Sequence, residues 1–392
     1  MVESAISSST GPDDVYLVNP TKAEVDDQVV LNSVEWKGAL SSVEAYIRRE
    51  AFLQDQDLTR NGGLTDWALA RGQGDKRQIL SSCETLRKKA FVVTDGKLQE
   101  IICHGICSVF CSPENRGKGY ASTMIKLLGK KLQTWQTDTA PCLFSILYSD
   151  VGKQFYARNG YQVYPSSHVS LAPWPGSSSS RASLPPVRPL SASDLPELCK
   201  IDEELLRKRI TRTTNQSQQT VAIVPDYRTL AWHHAREDFV SKELYGQTSD
   251  IRGAITGSEP GHRVWMYWAR MWYNTDPKSP SGNTMHIMRL VVEDDTYDYS
   301  AATDAEVESS EHSETTKAIA ALLTAAQSEA SRWNMGDVEI WNPTSATMAA
   351  ARMLDPSAEI EHREKDSIAS LRWYGDAAES VEWIDNEKYG WC

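Results

Sequence analysis

The chain has 392 residues, with 22 Gly beside a 40% AVILMFWYC fraction, a globular balance that excludes a disordered, collagenous or fibrous description of the whole and leaves room for about two to three domains. Its formal charge of −12, from 41 Lys and Arg against 53 Asp and Glu, gives no support to a nucleic-acid surface and favours cations as partners. No apolar run reaches the roughly 18 residues of a membrane span, and the start MVESAISSSTGPDD has neither the basic nor the apolar region of a signal peptide. A soluble, cytoplasmic protein is expected, bound to neither nucleic acid nor membrane. Seven Cys spread over this length argue against a disulfide framework, and 13 Trp point mainly to buried aromatic packing.

In chain order, AFVVT (90–94), Asp95-Gly96 and the run from Lys97 to Cys111 read as a hairpin closed by a tight turn. Within it Cys103, Cys107 and Cys111 are four apart, with His104 beside the first. Strand positions four apart lie about 13 Å from each other and cannot share one ion, so no metal site is expected. From Tyr120 to Trp135, Ala121, Met124, Ile125, Leu128, Leu132 and Trp135 follow helical spacing while Lys126, Lys130 and Lys131 fall elsewhere. CLFSILYS (142–149) is a buried strand, DVGKQFYARNG (150–160) a short helix stopped by Gly160, and YQVYPSSHVSLA an extended segment.

Residues 165–189 hold six of the 17 Pro and eight Ser, the composition of a linker. Beyond it RPLSASDLPELCKIDEELLRKRI has the strand, cap and helix look of a domain start, with Ser193 or Asp194 as the cap. MHIMRLVV (285–292) reads as a strand, Ile319 to Trp333 as a helical stripe, DVEIWN (337–342) as a strand and TSATMAAARML (344–354) as a helix. The order repeats that of the first half. The expectation is a mixed α/β tandem, with a first domain over 1–172, a linker over 173–189 and a second domain over 190–392; an unrelated α/β second half is the alternative.

The chemistry concentrates at Cys111-Ser112-Pro113-Glu114-Asn115-Arg116-Gly117-Lys118-Gly119-Tyr120-Ala121. Gly117, Gly119 and Ala121 leave backbone N–H groups uncovered where a helix begins, and the helix dipole adds positive charge, so a pyrophosphate fits there. Arg116 and Lys118 add charge-assisted bonds. A triphosphatase loop fails, because Lys118 is followed by Gly119 and position 113 is not Gly. A dinucleotide fingerprint lacks its last Gly, replaced by Ser122, and is fed by a hairpin rather than a βαβ unit. The pattern Arg, two residues, Gly, one residue, Gly or Ala matches Arg116, Gly119 and Ala121.

At these residues the sequence resembles the GNAT superfamily of N-acetyltransferases, a likeness that includes Phe155-Tyr156-Ala157-Arg158-Asn159-Gly160-Tyr161. More narrowly, SCET (82–85), HGICSVF (104–110), RGKGYAS (116–122), LYSDVGKQFY (147–156), EIWNP (339–343) and NEKYGWC (386–392) resemble fungal lysine N6-acetyltransferases. The resemblance implies a GNAT fold in which the loop holds the pyrophosphate of acetyl-CoA and two strands splay around its pantetheine. The cofactor-binding residues would be Val109, Phe110, Cys111, Arg116, Gly117, Lys118, Gly119, Tyr120, Ala121, Ser149 and Phe155. It implies direct acetylation of the side-chain amine of free L-lysine, the first step of lysine breakdown, although Cys83 and Cys111 leave a Cys-linked intermediate open. Tyr156 would return a proton to the leaving thiolate, and Glu84 or His104 would act as base. Trp341 and Asn342 are candidate substrate contacts.

Another acceptor, such as a polyamine, an amino-sugar or a secondary-metabolite amine, is the nearest alternative; a CoA-binding regulatory protein without catalysis is the alternative from another class. His233, His234, Glu237 and Asp238 carry a metal-like spacing but read as a surface helix face, and Arg207-Lys208-Arg209 as a solvated helix end. VWMYWARMWYN (264–274) reads as core, with a wall of the substrate channel as the alternative. Between Glu293 and Glu314 nine carboxylates occur with no Lys, Arg or Gly, and without these nine the formal charge falls from −12 to −3. This acidic stretch stands where the second fold would have its phosphate loop, so one CoA site per chain is expected.

Overall fold

The structure is a computed structural model that describes residues 15–176, 183–213, 219–276, 278–303, 313–375 and 380–392. The first half runs β1 (Val15–Val18), α1 (Lys22–Trp36), α2 (Val43–Gln54), β2 (Leu64–Arg71), β3 (Gln78–Thr94), β4 (Lys97–Phe110), α3 (Tyr120–Leu132), β5 (Cys142–Ser149), α4 (Gln154–Ala157), β6 (Gln162–Val163) and β7 (Ser167–Leu171). The second runs β8 (Arg188–Leu190), α5 (Leu195–Thr213), β9 (Gln219–Ile223), α6 (Tyr227–Tyr245), β10 (Gly253–Thr256), β11 (Val264–Met271) and β12 (Thr284–Val292). It ends with α7 (Glu314–Arg332), β13 (Asp337–Trp341), α8 (Ser345–Leu354), β14 (Glu361–His362), β15 (Ile368–Trp373) and β16 (Val381–Trp383).

Local chemistry explains the main elements. Asp95 and Gly96 both take positive φ, 51° and 71°, the two-residue turn whose twist suits a hairpin, and it sets Thr94 opposite Lys97 along β3 and β4. Helix α3 buries Met124, Ile125, Leu128 and Leu132 on the apolar stripe of its sequence. Thr344 caps α8 by accepting from the Thr347 N–H, and Asp226 caps α6 in the same way through Thr229.

The strands form two mixed sheets, ordered β1-β2-β3-β4-β5-β15-β6, with β9 and β16 continuing beside β3, and β14-β7-β13-β12-β11-β10-β8. Each contains the same kernel: an antiparallel hairpin, a helix, and a strand parallel to the hairpin's second arm. The two related α/β folds are therefore present. They do not separate at the Pro- and Ser-rich segment, because each half lends a strand to the other. β7, which comes after α4, pairs with β13, and β15, which comes after α8, pairs with β5. Residues 177–182 of that segment lie outside the described residues, but Trp174 N–H donates to the Gln327 carbonyl on α7.

The sheets pack face to face. Between them lie Val92, Cys103 and Ile146 from one sheet and Trp265, Tyr267, Met288 and Trp341 from the other. α3 covers the outer face of the first sheet, and α7 and α8 cover that of the second. β11 is buried along its whole length, as a strand packed on both faces must be. Its Trp265 and Trp268 serve these cores. Among the described residues no helix is long and apolar enough to cross a membrane.

Candidate active site

β4 and β5 pair in parallel from Ile102 opposite Cys142 to Ile106 opposite Leu147, and there the pairing ends although both strands continue. Past that point β4 carries a bulge. Ser82 faces Phe110 but Glu84 faces Cys107, so β4 has one extra residue there, and Ser108 takes a left-handed φ of 51°. The strands splay around a cleft of about 770 Å³. Cys107, Ser108, Val109, Phe110, Cys111, Arg116 and Ala121 line one side, and Leu147, Tyr148, Asp150, Phe155 and Tyr156 the other.

At the rim, Gly117 and Gly119 adopt φ of 77° and 81°, and a Cβ added to either would meet nothing within 4 Å. Gly119 is the N-cap of α3, whose first N–H groups have no partner within the helix. These residues fit a pyrophosphate. Arg116 lies half-exposed, its Nε donating to the Cys111 carbonyl at 3.0 Å and a terminal nitrogen to Glu35 at 3.0 Å, so an incoming phosphate competes with the Glu35 carboxylate. Lys118 is exposed, and Tyr120 is half-buried at the start of the helix. Ser122 donates to the Asn159 side chain, whose amide donates to the Phe155 carbonyl; α3 is thereby tied to the turn carrying Tyr156.

Glu84 reaches the cleft from β3. Ser108 donates to its Oε2 at 2.7 Å. Desolvation, with the carboxylates of Asp66 and Glu50, outweighs that bond and pushes the Glu84 carboxyl up to about 8. Tyr156 is buried against Phe155 and Tyr161, and among the described residues its hydroxyl has no hydrogen-bond partner. Burial pushes its phenol up, so it stays protonated.

Four expected site residues lie elsewhere. His104 points to the α3 side, its ring between Gln136 at 3.2 Å and the Cys142 thiol at 3.4 Å, and burial depresses it to about 4. Cross-strand partners share a face, so the hairpin register puts His104 with Arg87 and Glu84 with Cys107, on opposite faces. Ser149 is buried outside the cleft, its hydroxyl donating to the Gly152 carbonyl and accepting from the Val151 N–H. Trp341 and Asn342 border a separate hollow of about 490 Å³. Asn342 there accepts from the Ser167 N–H and donates to the Asn386 carbonyl, and Trp341 reaches the cleft only through its packing on Tyr148, with ring centroids 5.4 Å apart.

Other expectations change as well. His233 and His234 are buried rather than on a surface face, each facing a carbonyl, of Tyr389 and Trp268. Glu237 joins Arg252 and Arg270. Arg209 is no solvated end but pairs with buried Asp385. Among the described residues no group of His, Cys, Asp and Glu is placed to hold a metal ion. Within the acidic stretch Asp304, Glu306, Glu308 and Glu311 lie outside the described residues, while Glu293 is held by Arg263.

Tyr46, Arg49 and Glu50 on α2 and Trp232 and Arg236 on α6 also line the cleft. Sequence reasoning missed them; the signal for α2 was Ser42, which caps the helix, with Tyr46, Arg49 and Leu53 after it at helical spacing.

Residues 171–392 match the family described as the LYC1 GNAT-like C-terminal domain. That match takes in more than half of the chain. The chain belongs to the LYC1 GNAT-like family. Among its relatives, a "Lysine acetyltransferase" of Yarrowia lipolytica is 25% identical over 286 residues, 64% of this chain and 70% of that protein. "Uncharacterized protein YGR111W" of Saccharomyces cerevisiae is 22% identical over 407 residues, 92% of this chain and 93% of that protein. The fold is shared with the crystal structure of a GCN5-related N-acetyltransferase from Anabaena variabilis, at a TM-score of 0.51 and 14% identity over 92% of this chain and 72% of that one. The LYC1-like protein is thus a GNAT acyltransferase.

Proposed function

We propose that the protein transfers the acetyl group of acetyl-CoA to the side-chain amine of free L-lysine, giving N6-acetyl-L-lysine in cytoplasmic lysine catabolism of fungal type. In this reading residues 1–172 carry acetyl-CoA and the chemistry, and 190–392 form a degenerate partner. The named lysine acetyltransferase among the relatives supports the acceptor. The observation that carries the chemistry is Glu84: a carboxyl raised to about 8 inside the strand splay, opposite the wall that holds Tyr156.

A lysine side chain in water has a pKa of about 10.4 and must lose a proton to become a nucleophile. Glu84, near neutrality in proton affinity, takes that proton directly or through one water. Ser108 orients the accepting oxygen. The amine nitrogen then attacks the thioester carbonyl carbon, forming the new C–N bond as the C–S bond breaks, and the Tyr156 hydroxyl supplies a proton to the leaving sulfur. Direct transfer is favoured over a Cys-linked intermediate because burial pushes the Cys83 and Cys111 thiols up, against the thiolate an acyl carrier needs.

The test is thiol release from acetyl-CoA in the presence of L-lysine, a polyamine and an amino-sugar. Release with lysine is expected. Release only with another amine would replace the acceptor, and none with any amine would leave a CoA-binding protein without catalysis.

A further inference from the structure

Besides Arg116 of the glycine loop, two arginines line the cleft, and their surroundings differ. Arg49 is buried and fully engaged: its Nε donates to Glu50 at 2.7 Å, a terminal nitrogen to the Trp36 carbonyl at 3.1 Å, and its guanidinium lies 4.8 Å from the Tyr46 ring centre. Arg236 lines the same cleft one helical turn after Trp232. Among the described residues it makes no hydrogen bond and no ion pair, and its aromatic neighbour is the Trp391 ring at 5.8 Å. The acids on its own helix are committed elsewhere, Glu237 to Arg252 and Arg270 and Asp238 to Arg252.

A half-buried guanidinium without an anion is a costly arrangement, since buried charge is normally paired. Burial and the nearby Arg49 both work against the Arg236 charge, with Tyr273, Glu50 and Tyr46 offsetting them only in part. We propose that Arg236 anchors the carboxylate of an amino-acid acceptor, so that the cleft selects a diamino acid over a plain diamine. This rests on the reading of the cleft as an amine-acetylating site. The planar guanidinium receives a carboxylate through two parallel N–H bonds, while the free amine of the same molecule extends toward Glu84. A diamine of equal length puts a second cation beside Arg236 and Arg49 and is repelled, which is how specificity by charge works.

The test compares L-lysine, ε-aminocaproate, which keeps the carboxylate and lacks the α-ammonium, and cadaverine, which lacks the carboxylate. Calorimetric binding is measured on the full chain, its Arg236→Gln and Arg236→Lys variants, with acetyl-CoA affinity as the control for folding. Wild type should bind lysine and ε-aminocaproate more tightly than cadaverine. Arg236→Gln should weaken both carboxylate ligands by about 30-fold or more and erase the preference over cadaverine, with Arg236→Lys recovering part of it. Lysine binding unchanged in Arg236→Gln, or cadaverine bound by wild type as tightly as lysine, would overturn the proposal. If Arg236→Gln also loses acetyl-CoA, the wild-type ranking of the three ligands decides alone. Arg236-dependent lysine binding without any thiol release would remove the lysine reaction and leave the anchor standing.

Discussion

The two halves solve the same geometric problem differently. In each, a hairpin arm and a parallel strand part after a few paired residues, past Ile106 and Leu147 in the first half and past Ile287 and Ile340 in the second. The first opening ends in Gly117 and Gly119 with free space around them. The second has no glycine between Glu293 and Glu314, and the protein's own chain enters it beside the hollow of about 490 Å³: Glu387 accepts from the Leu290 N–H and pairs with Arg289, which also holds Asp202 and Asp385. A strand splay is therefore not by itself a CoA site; the loop after the strand and the groups that enter the gap decide. In the second half a buried charge cluster borders the opening.

Several substitutions would break or sharpen this contrast. The largest effect belongs to Gly119→Glu, which forces a side chain into φ 81° and sets a carboxylate in the phosphate space. Acetyl-CoA binding should fall below detection by calorimetry while the circular dichroism spectrum stays native. Retained affinity would mean that the loop is misplaced. Next, Glu84→Gln should lower kcat by about 100- to 1000-fold. Its folded-state carboxyl is raised above the unfolded value, so wild type loses stability as pH climbs from about 4.5 toward 8. Melting curves should show the variant gaining on wild type over that window.

In the second half, Arg289→Ala takes the arginine partner from Asp202 and Glu387 while Asp385 keeps Arg209; it should cost about 3–5 kcal/mol in urea unfolding, yet leave acetyl-CoA affinity of the folded fraction unchanged. The smallest effect is expected from Asp66→Asn. Asp66 sits opposite Glu84 across β2 and β3, and removing this like charge should move the rising limb of the kcat/KM profile down by about 0.5–1 pH unit. An unmoved limb would assign the limb to another group.

Much of the fold was legible because its signals are local. The Asp95-Gly96 turn, the α3 stripe, CLFSILYS and the glycine loop each lie within a short window, and all are where the pattern put them. The exchange of β7 and β15 was not, because nothing in a short strand names a partner about 170 or about 220 residues away. His104 was a correctable miss: counting register from the two-residue turn separates it from Glu84 without any structure. Ser108 carries no such signal, since its left-handed bulge conformation comes from the splay rather than from its neighbours. The acceptor wall was hidden for a third reason. Arg236 stands out only by having no ion pair among the described residues, and partners are a property of the folded chain.

The most direct measurement is a titration of acetyl-CoA into the purified chain, read as stoichiometry, with Gly119→Glu and Arg289→Ala beside it. One molecule per chain is expected, abolished by the first substitution and kept by the second. Two molecules per chain, or one that survives Gly119→Glu, would contradict it.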